Sequence, residues 1–427
     1  MAVPFAPVEV IERSRRGDRV DAESVESFVR SWLDGTSDDS LVSAWCMLAC
    51  VRGLDDDHVE ALARALIASG DRLELGRFGP TGDVDTTGGV GDTTPLVAAP
   101  VAAALGVRVA AMGGRGLAHT GGTADKLEAI PGLQVDLPLE RFVRQVRDVG
   151  IAVAAQSDRL ARGDRRLAEL RDATGTVPAA GLVAASTMAR KLAGGAGAVH
   201  LEVTFGSGAF LGSEEEARAT AELMVRIAEP WGRRIGWSLC DMEQPLGRCV
   251  GNALEVGEAA EVLRGAGPAD LRDAAARAAG GLAEAAGVVA EGEGSGRARA
   301  ALADGSALAA AERWIEAQSG DPAVWTDPGA LPTAPIRIDL TALRAGVVHR
   351  IGARGVGEVA RWLGAGRLHP GQSIDPVVGV ELLVSVGDPV DEGQPMAVIH
   401  ARDTWAGEQA RDMAAAWFGV GEEGEDA

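Results

Sequence analysis

The chain has 427 residues, 46% hydrophobic and 24% charged, which is enough for two or three domains with substantial cores. Its net charge of −21 argues against nucleic-acid backbones and anionic membranes as main partners, though not against a small anionic substrate held in a local field of opposite sign. No run of eighteen uncharged apolar residues reads as a membrane span, and the opening decapeptide lacks the basic-then-apolar layout of a signal peptide. Cys46, Cys50, Cys240 and Cys249 show no Cys-x-x-Cys pairing, so buried reduced thiols, no metal site and a cytoplasmic setting are expected. Lys126 and Lys191 are the only lysines among 41 basic residues, and there is no tyrosine, so arginine in place of lysine is a habit of the whole chain.

Taken in order, residues 20–33, 41–51 and 57–69 carry apolar residues at helical spacing, separated by turns at 34–37 and 53–56. A glycine-rich loop at 86–92 leads into a helix over 96–105. A short buried strand over 107–112 then delivers the chain to a second glycine loop, 113–123. Residues 135–137 are a strand candidate, 139–149 a helix, 151–155 a strand, and 165–192 helical with a break at Val177-Pro178. A strand over 199–205, a helix over 214–228 and a strand over 235–239 follow, and strands alternating with helices imply a sheet with helices on its faces. Ala-rich helices fill 253–318 and receive no functional role. From about 345 the pattern turns to short elements: strands over 346–351, 377–386 and 395–400, a helix over 356–363, and turns at His369-Pro370-Gly371 and 386–388. Residues 422–427 read as a frayed acidic tail.

The two glycine loops carry the chemistry. Without Cβ atoms, backbone N–H groups approach an anion closely, and a following helix N-terminus adds positive dipole. Two such loops bracketing one helix suit a substrate that carries or receives phosphate, whereas either alone reads equally as a tight turn.

The first loop runs Asp-Val-Asp-Thr-Thr-Gly-Gly-Val-Gly-Asp from Asp83. The second runs Gly-Gly-Arg-Gly-Leu-Ala-His-Thr-Gly-Gly-Thr-Ala-Asp-Lys-Leu-Glu from Gly113. Both resemble the signature of the thymidine and pyrimidine-nucleoside phosphorylase family, Asp-Lys-His-Ser-Thr-Gly-Gly-Val-Gly-Asp and Ser-Gly-Arg-Gly-Leu-Gly-His-Thr-Gly-Gly-Thr-Leu-Asp-Lys-Leu-Glu. The similarity extends from about residue 8 to 415. The resemblance implies an α/β protein: a small all-helical domain (1–70 and 160–195) that dimerises and binds the base, and a larger α/β phosphate-loop domain (71–159 and 196–344) with a central mixed sheet. A C-terminal α+β subdomain (345–427) completes it, with the active site in the interdomain cleft. It further implies a homodimeric pentosyltransferase with inorganic phosphate as co-substrate and no cofactor. The reaction implied is phosphorolysis of a pyrimidine nucleoside to free base and pentose 1-phosphate.

Residue by residue, Arg171 matches the family's base-binding arginine, Ser186 its serine, and Arg190 its lysine. Ser186 and Arg190 are four apart and so share a helix face. Leu117, Val177, Val183 and Phe210 match the apolar lining, and Ala168 replaces a tyrosine, which widens the pocket. At the phosphate end Thr86 (a serine in the family) and Thr123 keep hydroxyls, and Gly88, Gly89, Thr94 and Arg115 are further candidates. Three positions depart: the phosphate lysine is Val84, and two loop serines are Pro95 and Gly113. At roughly 1.5–3 kcal/mol for each hydrogen bond to a charged group, this loss amounts to about 4–8 kcal/mol of phosphate binding unless compensated.

The family's histidine is Asp85, grouped with Arg171 and Arg190 as a catalytic candidate. An ionised Asp85 opposes a departing anionic base. It therefore pairs with a cation such as an amino group on a modified nucleoside, accepts from a sugar hydroxyl, or caps the loop. His119 reads as structural rather than catalytic. Three functions stay open: phosphorolysis of an altered nucleoside, phosphate-independent cleavage or transfer to another acceptor, and a scaffold that binds a pyrimidine or nucleoside without turnover.

Overall fold

The computed structural model describes residues 6–369 and 371–421. Pro370, inside one expected turn, and the 422–427 tail lie outside the described residues. Four helices open the chain: α1 (Pro7–Arg16), α2 (Ala22–Leu33), α3 (Asp39–Arg52) and α4 (Asp56–Ala68). Asp21 and Asp38 cap α2 and α3 by accepting the backbone N–H groups of Ser24 and Ser40, which satisfies donors that a helix start leaves unpaired. Phe28, Trp32, Trp45, Leu62 and Leu66 form the bundle's interior.

An α/β region follows: β1 (Thr81–Thr86), α5 (Thr94–Ala104), β2 (Arg108–Gly113), α6 (Thr123–Leu127), α7 (Leu139–Asp148) and β3 (Ile151–Ala155). The chain then returns to the bundle as α8 (Arg162–Thr174) and α9 (Ala180–Gly194), whose Leu167, Leu182 and Met188 join the same apolar cluster. It re-enters the sheet as β4 (Ala198–Phe205), α10 (Glu214–Ala228) and β5 (Arg234–Asp241).

The central sheet has the order β3-β2-β1-β4-β5, and all four pairings are parallel. The expected mixed sheet is thereby corrected. Each of its connections carries at least one helix, so every strand enters from the same side. Connections from β1 run to one edge and those from β4 to the other, which makes the β1/β4 boundary a topological switch point. Ligands of open α/β sheets bind beyond the carboxyl ends of the strands at that place. The first glycine loop leaves the carboxyl end of β1 and the second that of β2, so the topology puts both there.

After β6 (Cys249–Val250), the Ala-rich helices α11 (Asn252–Leu263), α12 (Ala269–Ala286), α13 (Gly294–Ala303) and α14 (Ser306–Ala317) cover the sheet's other side. Leu282 and Trp314 bury there with Val84, Leu96 and Val97. The C-terminal part holds β7 (Ile336–Thr341), β8 (Gly346–Ile351), α15 (Ala353–Ala360), β9 (Gly379–Leu382), β10 (Pro389–Val390), β11 (Pro395–Ala401), α16 (Thr404–Ala415) and β12 (Phe418–Gly421). Its two small sheets, β10-β8-β12 and β6-β9-β11-β7, are antiparallel. Three local expectations change. Residues 135–137 form no strand, although the Val135 carbonyl accepts from Ala155 N–H; the strand expected over 377–386 shortens to β9; and β7, β10, α16 and β12 were not foreseen. Among the described residues no helix is long and apolar enough to cross a membrane.

Candidate active site

Alternation along β1 sends Asp83 and Asp85 to one face and Val84 to the other. Val84 is 1% exposed and packs under α5 with Leu96 and Val97, so the position of the family's phosphate lysine is here part of the core. Asp83 and Asp85 meet α9. Lys191 Nζ lies 3.1 Å from Asp83, 3.0 Å from Asp85, and donates to the Met112 carbonyl at 2.9 Å. Arg190 lies 3.8 Å from Asp85 and 3.2 Å from Asp164. Three carboxylates and two cations thus share one buried cluster. Burial lifts the Asp83 carboxyl to about 7 against the pull of Lys191, with Asp85 adding to the rise. Burial opposes the Arg190 charge, but Asp164 and then Asp85 outweigh it and hold the guanidinium pKa up. Of the readings for Asp85, the structure supports pairing with a cation, and the cation is the protein's own Lys191.

Ser186 and Arg190 come together as the four-residue spacing requires: Arg190 Nη1 donates to Ser186 Oγ at 3.1 Å. The Ser186 hydroxyl in turn donates to Asp164, a residue the sequence reasoning did not select. Arg171, 2% exposed, donates only to backbone carbonyls: Thr176 at 3.4 Å, Leu182 at 3.3 Å and Val177 at 2.5 Å. Among the described residues no carboxylate pairs with it, and burial pulls its pKa down. It is therefore a buried cation with no carboxylate in direct contact among the described residues, though the charge of Asp164 acts on it. Val177 and Val183 are buried, whereas Leu117 and Phe210 remain half-exposed.

The second loop is stitched to both sides of the cleft. Ala118 N–H donates to Asp172 of α8 at 2.8 Å, while His119 Nε2 meets the Gly208 carbonyl at 3.3 Å and its ring lies edge-on to Phe210 at 5.5 Å. Burial lowers the His119 pKa, in keeping with a neutral, structural imidazole.

The first loop is more self-satisfied than its glycines suggest. Gly88 N–H donates to Thr86 Oγ1 at 3.1 Å and Val90 N–H to the Gly208 carbonyl at 3.1 Å. Asp92 accepts from both the Thr86 hydroxyl and Thr94 N–H, placing an anion at the start of α5. Gly89 backs onto Met242, whose Sδ would lie 2.9 Å from an added Cβ. Arg115, expected near phosphate, is instead engaged by Asp125 at 3.2 Å, Glu128 at 2.7 Å and Asp136 at 3.7 Å. Lys126 pairs with Glu255 at 2.6 Å. At Gly113 an added Cβ would sit 2.6 Å from Thr123 Cβ, so Thr123 fills the space a serine would need. One group points the other way: the Thr94 hydroxyl is buried with no hydrogen-bond partner. A cavity of about 850 Å³ lined by Arg277, His349, Arg350 and Trp417 lies elsewhere, between the end of β5 and the C-terminal part, and touches none of these residues.

Comparison with known proteins decides the family. Residues 8–70 match the glycosyl transferase family helical bundle domain, residues 79–308 the glycosyl transferase family a/b domain, and residues 347–419 the pyrimidine nucleoside phosphorylase C-terminal domain. The pyrimidine-nucleoside phosphorylases of Staphylococcus haemolyticus, Bacillus subtilis and Geobacillus stearothermophilus are each 40% identical to this chain over 405 residues, 92% of both partners. The chain belongs to the pyrimidine-nucleoside phosphorylase family. Among solved structures, anthranilate phosphoribosyltransferase from Thermus thermophilus superposes with a TM-score of 0.57 at 25% identity, covering 72% of this chain and 98% of that one. Asp164 and Lys191 are the residues that sequence reasoning missed. A usable signal existed for Lys191, since two carboxylates on one face of a buried strand need a cation and the chain has only two lysines.

Proposed function

We propose that the protein is a pentosyltransferase that cleaves the N-glycosidic bond of a pyrimidine nucleoside with inorganic phosphate, releasing free base and pentose 1-phosphate. The observation that carries this is Arg171, a buried cation that no carboxylate among the described residues contacts directly, beside the Ser186–Arg190 pair and across from two glycine loops. A departing pyrimidine gains negative charge, and a preorganised cation in a site closed to water stabilises it. The loops supply the Thr86, Thr94 and Thr123 hydroxyls for phosphate below C1′, and the partnerless Thr94 hydroxyl is the group best suited to an incoming anion. The negative charge of Asp85 is met by Lys191, so nothing on its account demands a cationic substituent on the nucleoside. The reaction as proposed needs no cofactor beyond phosphate. We further propose a cytoplasmic homodimer through the helical bundle, supported by exposed Val8 (48%), Met47 (45%) and Val51 (75%) on α1 and α3. Sedimentation giving a monomer at micromolar concentration would overturn the dimer.

A second reading, cleavage with water or another acceptor, is favoured by one specific fact: the cations flanking the loops, Arg115, Lys126, Arg190 and Lys191, are all ion-paired. Base release from uridine and thymidine, with and without phosphate, separates the two when chromatography follows the base and phosphorus NMR the sugar. The phosphorolytic reading expects release that depends on phosphate, with a sugar 1-phosphate product. Release indifferent to phosphate establishes the second reading, and tight binding without release leaves only a nucleoside-binding scaffold.

A further inference from the structure

We propose that Asp164 sets which pyrimidines the cleft accepts, by taking the Ser186 proton and so presenting Ser186 to the base as a hydrogen-bond acceptor. This rests on reading the cleft as a pyrimidine site. Asp164 is 0% exposed, in the first turn of α8. Its Oδ1 accepts from the Ser186 hydroxyl, and its Oδ2 accepts from Arg190 Nη1 at 3.2 Å and Gln156 Nε2 at 3.4 Å. Its charge also acts on Arg171. Every one of these neighbours is a donor, which is the surrounding of an ionised carboxylate.

The consequence follows from counting. A hydroxyl has one proton and two lone pairs. The Ser186 proton is committed to Asp164, and one lone pair receives Arg190 Nη1 at 3.1 Å. What remains is one lone pair, so Ser186 can accept from a ligand but not donate to it. Arg171 and Arg190 can only donate. Two donors and one acceptor complement an edge that reads acceptor, donor, acceptor. The imide of a uracil-type base, with N–H between two carbonyls, is such an edge. A cytosine-type edge offers a bare ring nitrogen where Ser186 has only a lone pair, and an amino group where an arginine has only N–H. Asp164 touches no substrate in this scheme; it is a positioning residue acting through Ser186 and Arg190.

The test compares uridine and cytidine, by calorimetric binding and by base release, in the wild-type enzyme and in Asp164→Asn, Asp164→Glu and Ser186→Ala. A site that hydrogen-bonds one edge discriminates strongly against the mismatched one, so the wild type should favour uridine by about tenfold or more. In Asp164→Asn the amide can donate to Ser186 and release its proton toward the base, and the ratio should fall to within about threefold. Asp164→Glu, which keeps the carboxylate, should recover part of the preference. The ratio is the decisive readout, because a merely structural loss weakens both nucleosides alike and leaves it unchanged. A folded Asp164→Asn enzyme with the wild-type ratio overturns the proposal. Should that variant fail to fold, Ser186→Ala decides: the ratio collapses if the proposal holds and persists if it does not. A wild type that cleaves both nucleosides equally refutes the role of Asp164 while the proposed function stands. A wild type that binds neither refutes both.

Discussion

Lys191 stands within 3.1 Å of two carboxylates on a strand, and all three side chains are almost wholly inside the protein. Removing one partner from a buried ion pair is far costlier than the pair's own net worth, because the remaining charge is left desolvated. Lys191→Met should therefore destabilise the protein by about 3–5 kcal/mol. Asp83 offers a partial escape, since burial already lifts its carboxyl to about 7 and a proton can replace the lost cation. The loss should accordingly be larger at pH 8 than at pH 6. Urea unfolding of wild type and variant at both values measures this; a loss under about 0.5 kcal/mol, typical of a surface substitution, would show that the cluster does not depend on Lys191. Arg190 is unsuited to the same task, because its guanidinium is already shared between Asp164 and Asp85.

At the scale of elements, what the sequence makes legible is whatever period and spacing determine. Ser186 and Arg190 meet because four residues of helix bring them to one face, and a sheet with helices on its faces follows from strands separated by helices, although its all-parallel pairing was not expected. The strand alternation that sets Asp83 and Asp85 opposite Val84 is equally readable. What lies across from that strand is not. Lys191 and Asp164 reach the site from α9 and α8, packed there by the bundle core, and no local pattern announces a contact over 108 residues. The glycine loops show a different limit. Their composition correctly points to close approach, but the groups that approach Gly89 and Gly113 are the side chains of Met242 and Thr123. Likewise the charge of Arg115 is visible in the sequence, whereas its capture by Asp125, Glu128 and Asp136 depends on how the second loop turns.

For the whole molecule, buried ionisable groups give stability an uncommon dependence on pH. Asp83 and Glu202 are both pushed to about 7 and Glu258 to about 8, chiefly by burial; Lys191 opposes this at Asp83, Ser238 and Arg277 oppose it at Glu202, and the Arg248 backbone N–H opposes it at Glu258. In an unfolded chain such groups titrate near 4. Between about pH 4.5 and 8.5 the native state thus holds protons that the unfolded state has lost, and stability falls as pH rises through that window. His200 acts in the opposite sense. Burial depresses it to about 4, so the native state holds it neutral while the unfolded state binds a proton up to about 6.5, and stability rises with pH until then. From pH 6 to 8 the three carboxylates outweigh the histidine, for a net loss of about 3–5 kcal/mol. Above pH 8 an ordinary protein would titrate tyrosines and many lysines, but this one has no tyrosine and two lysines. Its thiols remain: burial raises Cys46 to about 12 and lifts Cys240 and Cys249 well above their usual range, so the unfolded chain loses protons first and stability falls again above about pH 8.5. Thermal unfolding at pH 6, 8 and 9.5 in constant salt and reductant should give midpoints that decrease in that order. A midpoint at pH 8 above that at pH 6 would mean that Asp83, Glu202 and Glu258 are already ionised at neutral pH.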